Sequence, residues 1–385
     1  MRIPGITPRP QPTPPPVTQP AAPGAPAQPG APSAPALLQP QVPAAAAGPA
    51  RIGLLLPLSG PSGQLGAAML QSAELALFDV PDSGLQLLPR DTGGAAQQAA
   101  DAARDVIALG AKVIIGPLLA AEVAAVKPVA ASANVPVLAF STATQLGGGG
   151  LFLLGFQPRQ EVIRVVQYAR AKGYQRFAAI APSTPYGDIA LAALQDAVAG
   201  SSASVVRVAR YDPATSDLSP IVRNFAQNTE FDALLIPEGG NRLRLLAPLL
   251  PYNDIDPDTI KYLGTGLWDE PGLGTEPALA GGWYAAPPPQ ARASFQKRFN
   301  DTFHQAPPRL ATLSYDATAL VATLAQKGDL SPAALANPNG FAGLDGIFRL
   351  MPDGTTQRGL AVLEVGRAQP RVIDPAPGDF QSLGQ

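Results

Sequence analysis

His304 is the only imidazole in a chain of 385 residues, and there is no cysteine. Any Ser-His-Asp hydrolase would have to use His304 as its base. That residue falls in Phe299–Ala306, at the predicted end of a helix, and no Gly-x-Ser-x-Gly elbow supplies a nucleophile. The absence of cysteine excludes disulfides, thiolate metal sites, iron–sulfur clusters and Cys nucleophiles. A lone histidine excludes a metal site of several imidazoles. Asp254 and Asp256 form a carboxylate pair, but Pro251–Pro257 reads as a solvated loop. Leu58–Gln64 offers backbone amides and a helix start to an anion, without the Gly-Lys-Ser/Thr of a phosphate loop. Gly264-Thr265-Gly266 lacks a third glycine, because Asp269 stands there. The expectation is a binding protein with no catalytic residue, no metal and no cofactor.

Composition narrows the partners. Hydrophobic residues make up 46%, charged residues only 15%, and the net charge is -2. The apolar fraction is ample for a core, and no Lys/Arg cluster suits a nucleic acid. No run of about 18 apolar residues codes a membrane span. Met1-Arg2-Ile3-Pro4 leads into proline-rich sequence without an apolar signal region. The chain is therefore expected to be trimmed of an export signal.

The elements that must position a site begin after residue 50. Residues 1–50 are about one third proline and hold no Asp or Glu. Proline fixes φ and removes amide donors, so this block is expected to be a disordered, extended tether reaching on the order of 150 Å. Arg51–Pro57 (RIGLLLP) is a continuous apolar run, as in a strand buried on both faces. Gln64–Phe78 follows with helical periodicity, its stripe formed by Leu65, Met69, Ala73 and Leu77. The alternation continues with strands at 85–88, 112–116, 135–140, 176–181, 204–209, 231–237 and 260–264. Helices are predicted at 95–109, 119–131, 159–172, 187–199, 216–227 and 241–250. Such alternation predicts an α/β protein of two Rossmann-like, doubly wound lobes. Helices at 291–303 and 311–326 and short strands near 341–350 and 359–365 are expected to complete both. The first lobe is expected over about 51–156 and 285–338, the second over about 157–284 and 339–375, with 376–385 a tail.

In parallel sheets ligands bind beyond the carboxyl ends of the strands. Two facing lobes would place Leu58–Gln64, Gly116–Ala120, Phe140–Gln145, Ser183–Asp188 and Pro237–Asn241 on opposite walls of a cleft that closes by hinge motion. The predicted cleft residues are Ser59, Gly60, Gln64, Pro117, Leu118, Ser141, Thr142, Ala143, Tyr186, Glu238 and Trp268.

At these loops the chain resembles a known family. Arg51–Gly60 (RIGLLLPLSG), Asp91 before an Ala-rich helix, Val113–Pro117 (VIIGP), Val135–Thr144 (VPVLAFSTAT) and Tyr186-Gly187-Asp188 occur in the order of leucine-binding-protein-like type 1 periplasmic binding proteins. The resemblance runs over about 51–375 and implies two lobes joined by three hinge strands. It also implies hydroxyl groups for a ligand carboxylate. Ala120 and Ala143 stand at the positions expected for them, with Thr142 and Thr144 flanking Ala143. Tyr186 is retained, and Glu238 stands in for the acid that meets a ligand ammonium only if the loop shifts. The start IGLLLPLSG, the Gly116–Leu119 segment and Gly340–Arg349 are also similar to penicillin-binding protein activators, as in the C-terminal domain of the lipoprotein LpoA. That branch implies an exported periplasmic lipoprotein, anchored to the outer membrane through a cysteine and signal peptide that this chain lacks. The partner would be a peptidoglycan synthase, a bifunctional penicillin-binding protein. The alternative is a solute receptor delivering an amino acid or related molecule to an ABC permease.

Overall fold

The computed structural model describes residues 49–81, 83–227 and 230–381. The predicted tether, up to residue 48, and the end of the predicted tail lie outside the described residues. Strands β1 (Ala50–Leu56), β2 (Leu85–Asp91), β3 (Val113–Ile115), β4 (Val137–Ala139) and β5 (Leu151–Leu153) alternate with helices α1 (Gly63–Asp79), α2 (Ala96–Ala108) and α3 (Ala120–Ser132). The chain continues through α4 (Pro158–Ala171), β6 (Arg176–Pro182), α5 (Pro185–Val198), β7 (Ser204–Tyr211), α6 (Ser219–Phe225) and β8 (Ala233–Leu235). After these come α7 (Gly240–Leu246), α8 (Leu249–Tyr252), β9 (Lys261–Gly264), β10 (Trp283–Ala286), α9 (Pro289–Phe303), α10 (Ala311–Gln326) and α11 (Pro332–Leu335). Strands β11 (Phe341–Gly343), β12 (Gly346–Leu350), β13 (Thr356–Arg358), β14 (Ala361–Glu364) and β15 (Arg371–Asp374) close the chain.

Two large sheets result, ordered β2-β1-β3-β4-β5 and β15-β14-β10-β9-β8-β6-β7, with a small antiparallel third, β11-β12-β13. The first is wholly parallel, and the second is parallel from β10 to β7. The apolar run of β1 is continuous because both of its faces are covered. Ile52, Leu54 and Leu56 enter a core with α1 and α10, while Leu55 meets α2 and α3 on the other side. The second sheet is covered likewise, by α4 and α5 on one face and α6 to α8 on the other. Each fully buried aliphatic side chain contributes about 1.5–3 kcal/mol.

Glycine and proline set several boundaries. Gly110 follows α2 with φ +85° and Gly173 follows α4 with φ +97°, conformations that end a helix cheaply only without a Cβ. Pro158, Pro185 and Pro289 open α4, α5 and α9, where a missing amide costs nothing.

Several expectations need correction. The span 339–375 divides: Phe341, Leu344, Phe348 and Leu350 join the first core, and only β14 and β15 enter the second sheet. The hairpin β11–β12 must cover α10, which is buried from Ala311 to Leu324. Strands β5, β10, β13 and β15 lie outside the predicted strands; at three or four residues each they carry too little periodicity. The helix expected at 241–250 is broken into α7 and α8, with Pro248 at the N-cap of the second piece and Pro251 inside it. On α1, Leu65 and Leu77 are only half-buried, and the deepest positions are Met69, Ala73 and Ala76.

Candidate interlobe cleft

The chain crosses between the two halves three times: from β5 to α4, from β10 to α9, and from β13 to β14. The first two crossings leave from strand carboxyl ends. The carboxyl edges of both parallel arrays therefore lie toward the crossings and toward each other. Each array also reverses its winding there, between β1 and β3 in the first and between β6 and β8 in the second. A crevice at such a switch point is the expected ligand site of an open parallel sheet.

On the first wall, the loop after β1 is fixed by Asp91 at the end of β2. Its Oδ1 accepts amides from Leu58 (2.8 Å), Ser59 (3.2 Å) and Gly93 (2.8 Å). Desolvation pushes the Asp91 carboxyl up, but these hydrogen bonds and one from the Ser59 hydroxyl outweigh it and hold it below its ordinary value. The fixed loop presents Ser59, Gly60 and Gln64 to solvent. Ser141 is buried and its Oγ accepts the Ala143 amide at 3.1 Å, so it shapes the loop after β4. Thr142 is exposed beside the half-buried Ala143.

On the second wall, Thr184 caps α5 by accepting the Gly187 amide, which leaves Tyr186 in the first helical turn. The Tyr186 hydroxyl donates to Thr265 Oγ1 at 2.7 Å, tying this loop to the one after β9. Burial and the nearby Glu161 carboxylate push the Tyr186 hydroxyl well above its ordinary pKa, so it stays a donor. Glu238, after β8, accepts the Tyr211 hydroxyl through Oε2 and the Gly239 amide through Oε1 at 3.0 Å.

Pro117, Leu118 and Trp268 do not line the cleft as expected. Pro117 and Leu118 are buried, and Leu118 packs into the first core. Trp268 is 1% exposed, its indole lying on Gly264 and Gly282 where neither leaves room for a Cβ. Among the described residues no three His, Cys, Asp or Glu side chains are grouped to hold a metal ion. His304 is the exposed, left-handed residue ending α9, at φ +55°.

Sequence reasoning missed the most highly charged region, which lies at the crossings. Asp269, after β9, is gripped by both terminal nitrogens of Arg292 and by Arg309 Nε at 3.1 Å. Arg309 also reaches Asp345 at 2.8 Å. Arg358 is buried and donates to the Leu154 carbonyl at 2.9 Å, joining two crossings. Gln160 on α4 accepts the Arg358 amide at 3.1 Å. Glu161 Oε2 accepts the Gly266 amide at 2.9 Å, and burial pushes its pKa up to about 7. Asp316 is raised by burial and by Asp345, while Asp345 is held low by Arg309 and Arg358 despite burial. The one sequence signal was a lone carboxylate, Asp316, inside an otherwise uncharged buried helix.

A match to the periplasmic binding protein family covers residues 49–369. The chain belongs to that family. A putative branched-chain amino acid ABC transporter protein from Rhodospirillum rubrum has a similar fold, with TM-score 0.75 and 20% identity over 84% of this chain and 99% of that one. An ABC transporter substrate-binding protein from Sphaerobacter thermophilus gives TM-score 0.74 at 22% identity, covering 86% of this chain and 98% of that one. A solute binding protein of an ABC transporter from Rhodopseudomonas palustris, solved with 3,4-dihydroxybenzoic acid, gives 0.66 at 18% identity over 86% and 97%. The uncharacterized protein RP748 of Rickettsia prowazekii is 23% identical over 180 residues, and the match spans 46% of this chain and 48% of that relative. Members of this family are binding proteins built on the fold described here, and among the described residues no helix is long and apolar enough to cross a membrane.

Proposed function

We propose that this chain is a non-catalytic periplasmic receptor that closes its two lobes on a small carboxylate solute and delivers it to an ABC permease. The observation that carries this reading is a pair of loop-built walls at the carboxyl edges of two doubly wound sheets, in a chain whose structural neighbours are transporter receptors. The neighbour solved with a dihydroxybenzoic acid indicates the ligand size such a cleft accepts. The polar groups offered are hydroxyls and amides at Ser59, Thr142 and Tyr186, with Glu238 the acid on the second wall. The synthase-activator reading rests on sequence resemblance alone, and so does the lipid anchor.

Thermal unfolding with branched-chain amino acids and hydroxybenzoates tests this. A ligand at about 100 times its Kd adds about 2.7 kcal/mol of apparent stability. A shift with one class, lost in Tyr186→Ala, is the expected result. No shift with either class, together with capture of a purified peptidoglycan synthase, would replace the transport reading by the regulatory one.

A further inference from the structure

A cavity of about 400 Å³ opens beside the crossings, away from the cleft loops. One side comes from α9 and the turn before α10, through Ala293, Gln296 and Arg309. The other comes from the loop after β9 and the β14–β15 turn, through Leu273 and Gln369. Helix α9 belongs to the first core through Phe295 and Phe299, while Leu273 and Tyr284 belong to the second. The cavity thus bridges both halves, and of the predicted cleft residues only Trp268 borders it. Its size and its place at an interface match those of small-molecule sites.

One bordering side chain is a buried donor without an acceptor. Trp268 Nε1 has no hydrogen-bond partner. Tyr284, 2% exposed as a residue, borders the same cavity. Burial and the Asp269 carboxylate push the Tyr284 hydroxyl up, so it stays a donor. Buried donors normally find acceptors, so an oxygen-bearing occupant fits. Arg292 and Arg309 bring cationic donors to the lining. They stand beside Asp269 and Glu270 in the same lining, so an anion would be held by directed donors rather than by net charge.

We propose that this cavity is a second ligand site, taking a small organic carboxylate against Tyr284, Trp268 and Arg292. An occupant would touch both halves of the molecule and so bias their relative angle. The inference stands apart from the cleft reading, and either can fail alone.

The chain has two tryptophans, so Trp283→Phe leaves Trp268 as the sole indole reporter. Titrating that variant with succinate and with benzoate should give a saturable change in Trp268 emission. The change should persist in Tyr186→Ala. It should weaken about tenfold in Tyr284→Phe, which removes one hydrogen bond to a charged group, and in Ala293→Phe, an exposed position that narrows the mouth. No saturable change with either carboxylate overturns the proposal. So does binding that survives both Tyr284→Phe and Ala293→Phe, or that is lost in Tyr186→Ala alone, which would place the ligand in the cleft.

Discussion

The cleft walls and the crossing region use polar groups in opposite ways. The cleft exposes Ser59, Gln64 and Thr142 on loops fixed by backbone hydrogen bonds, so its polar atoms remain wet. The crossings bury Asp269, Arg292, Asp345 and Arg358, each 9% exposed or less. A charge taken out of water needs partners at fixed geometry, and there the partners come from segments that would otherwise be free to swing. The cleft loops leave their groups exposed, whereas the crossings pair most of theirs with one another.

The comparison breaks first if the crossing charges can be removed cheaply. Arg309→Leu leaves Asp345 buried beside fewer cations and should cost about 3–5 kcal/mol in urea unfolding. A loss below about 1 kcal/mol would mean that the network is only decorative. Next in size is the effect of pH. Glu161 has its pKa raised from 4.5 to about 7. Between those values the folded chain holds a proton that the unfolded chain has released, so this group makes stability fall as pH rises and adds no further slope above about 7. Glu161→Gln should therefore gain stability relative to the parent chain between pH 4.5 and 7, and equal slopes would count against that burial. At the cleft, Tyr186→Phe loses one hydrogen bond to Thr265 and should cost only about 0.5–1.5 kcal/mol. Its larger effect should appear in ligand affinity, measured by calorimetry. The smallest effect is expected at Lys297, whose pair with Asp301 is exposed; Lys297→Ala should stay within about 0.5 kcal/mol of the parent.

Much of the fold was legible because its signals are local. Apolar runs such as Arg51–Pro57 announce strands covered on both faces, and glycines such as Gly110 and Gly173 mark helix ends through backbone freedom. The loops that carry Ser59, Ser141, Tyr186 and Glu238 could be placed because a βα rhythm puts them at strand carboxyl ends. The roles of individual residues were less legible. Pro117, Leu118 and Trp268 lie in the expected loops, but whether a loop side chain turns to solvent or to the core depends on what packs beneath it.

What the sequence by itself determined is the alternation of elements, the pairing of two doubly wound sheets and the absence of cysteine chemistry, all properties of neighbouring residues or of composition. Tertiary structure alone decided that β11 and β12 roof the first core, that β10 and β15 extend the second sheet, and that Glu161, Asp269, Arg292, Arg309, Asp345 and Arg358 converge. Those six are spread over nearly two hundred positions, and no local pattern encodes a meeting created only when three crossings of the chain are brought side by side.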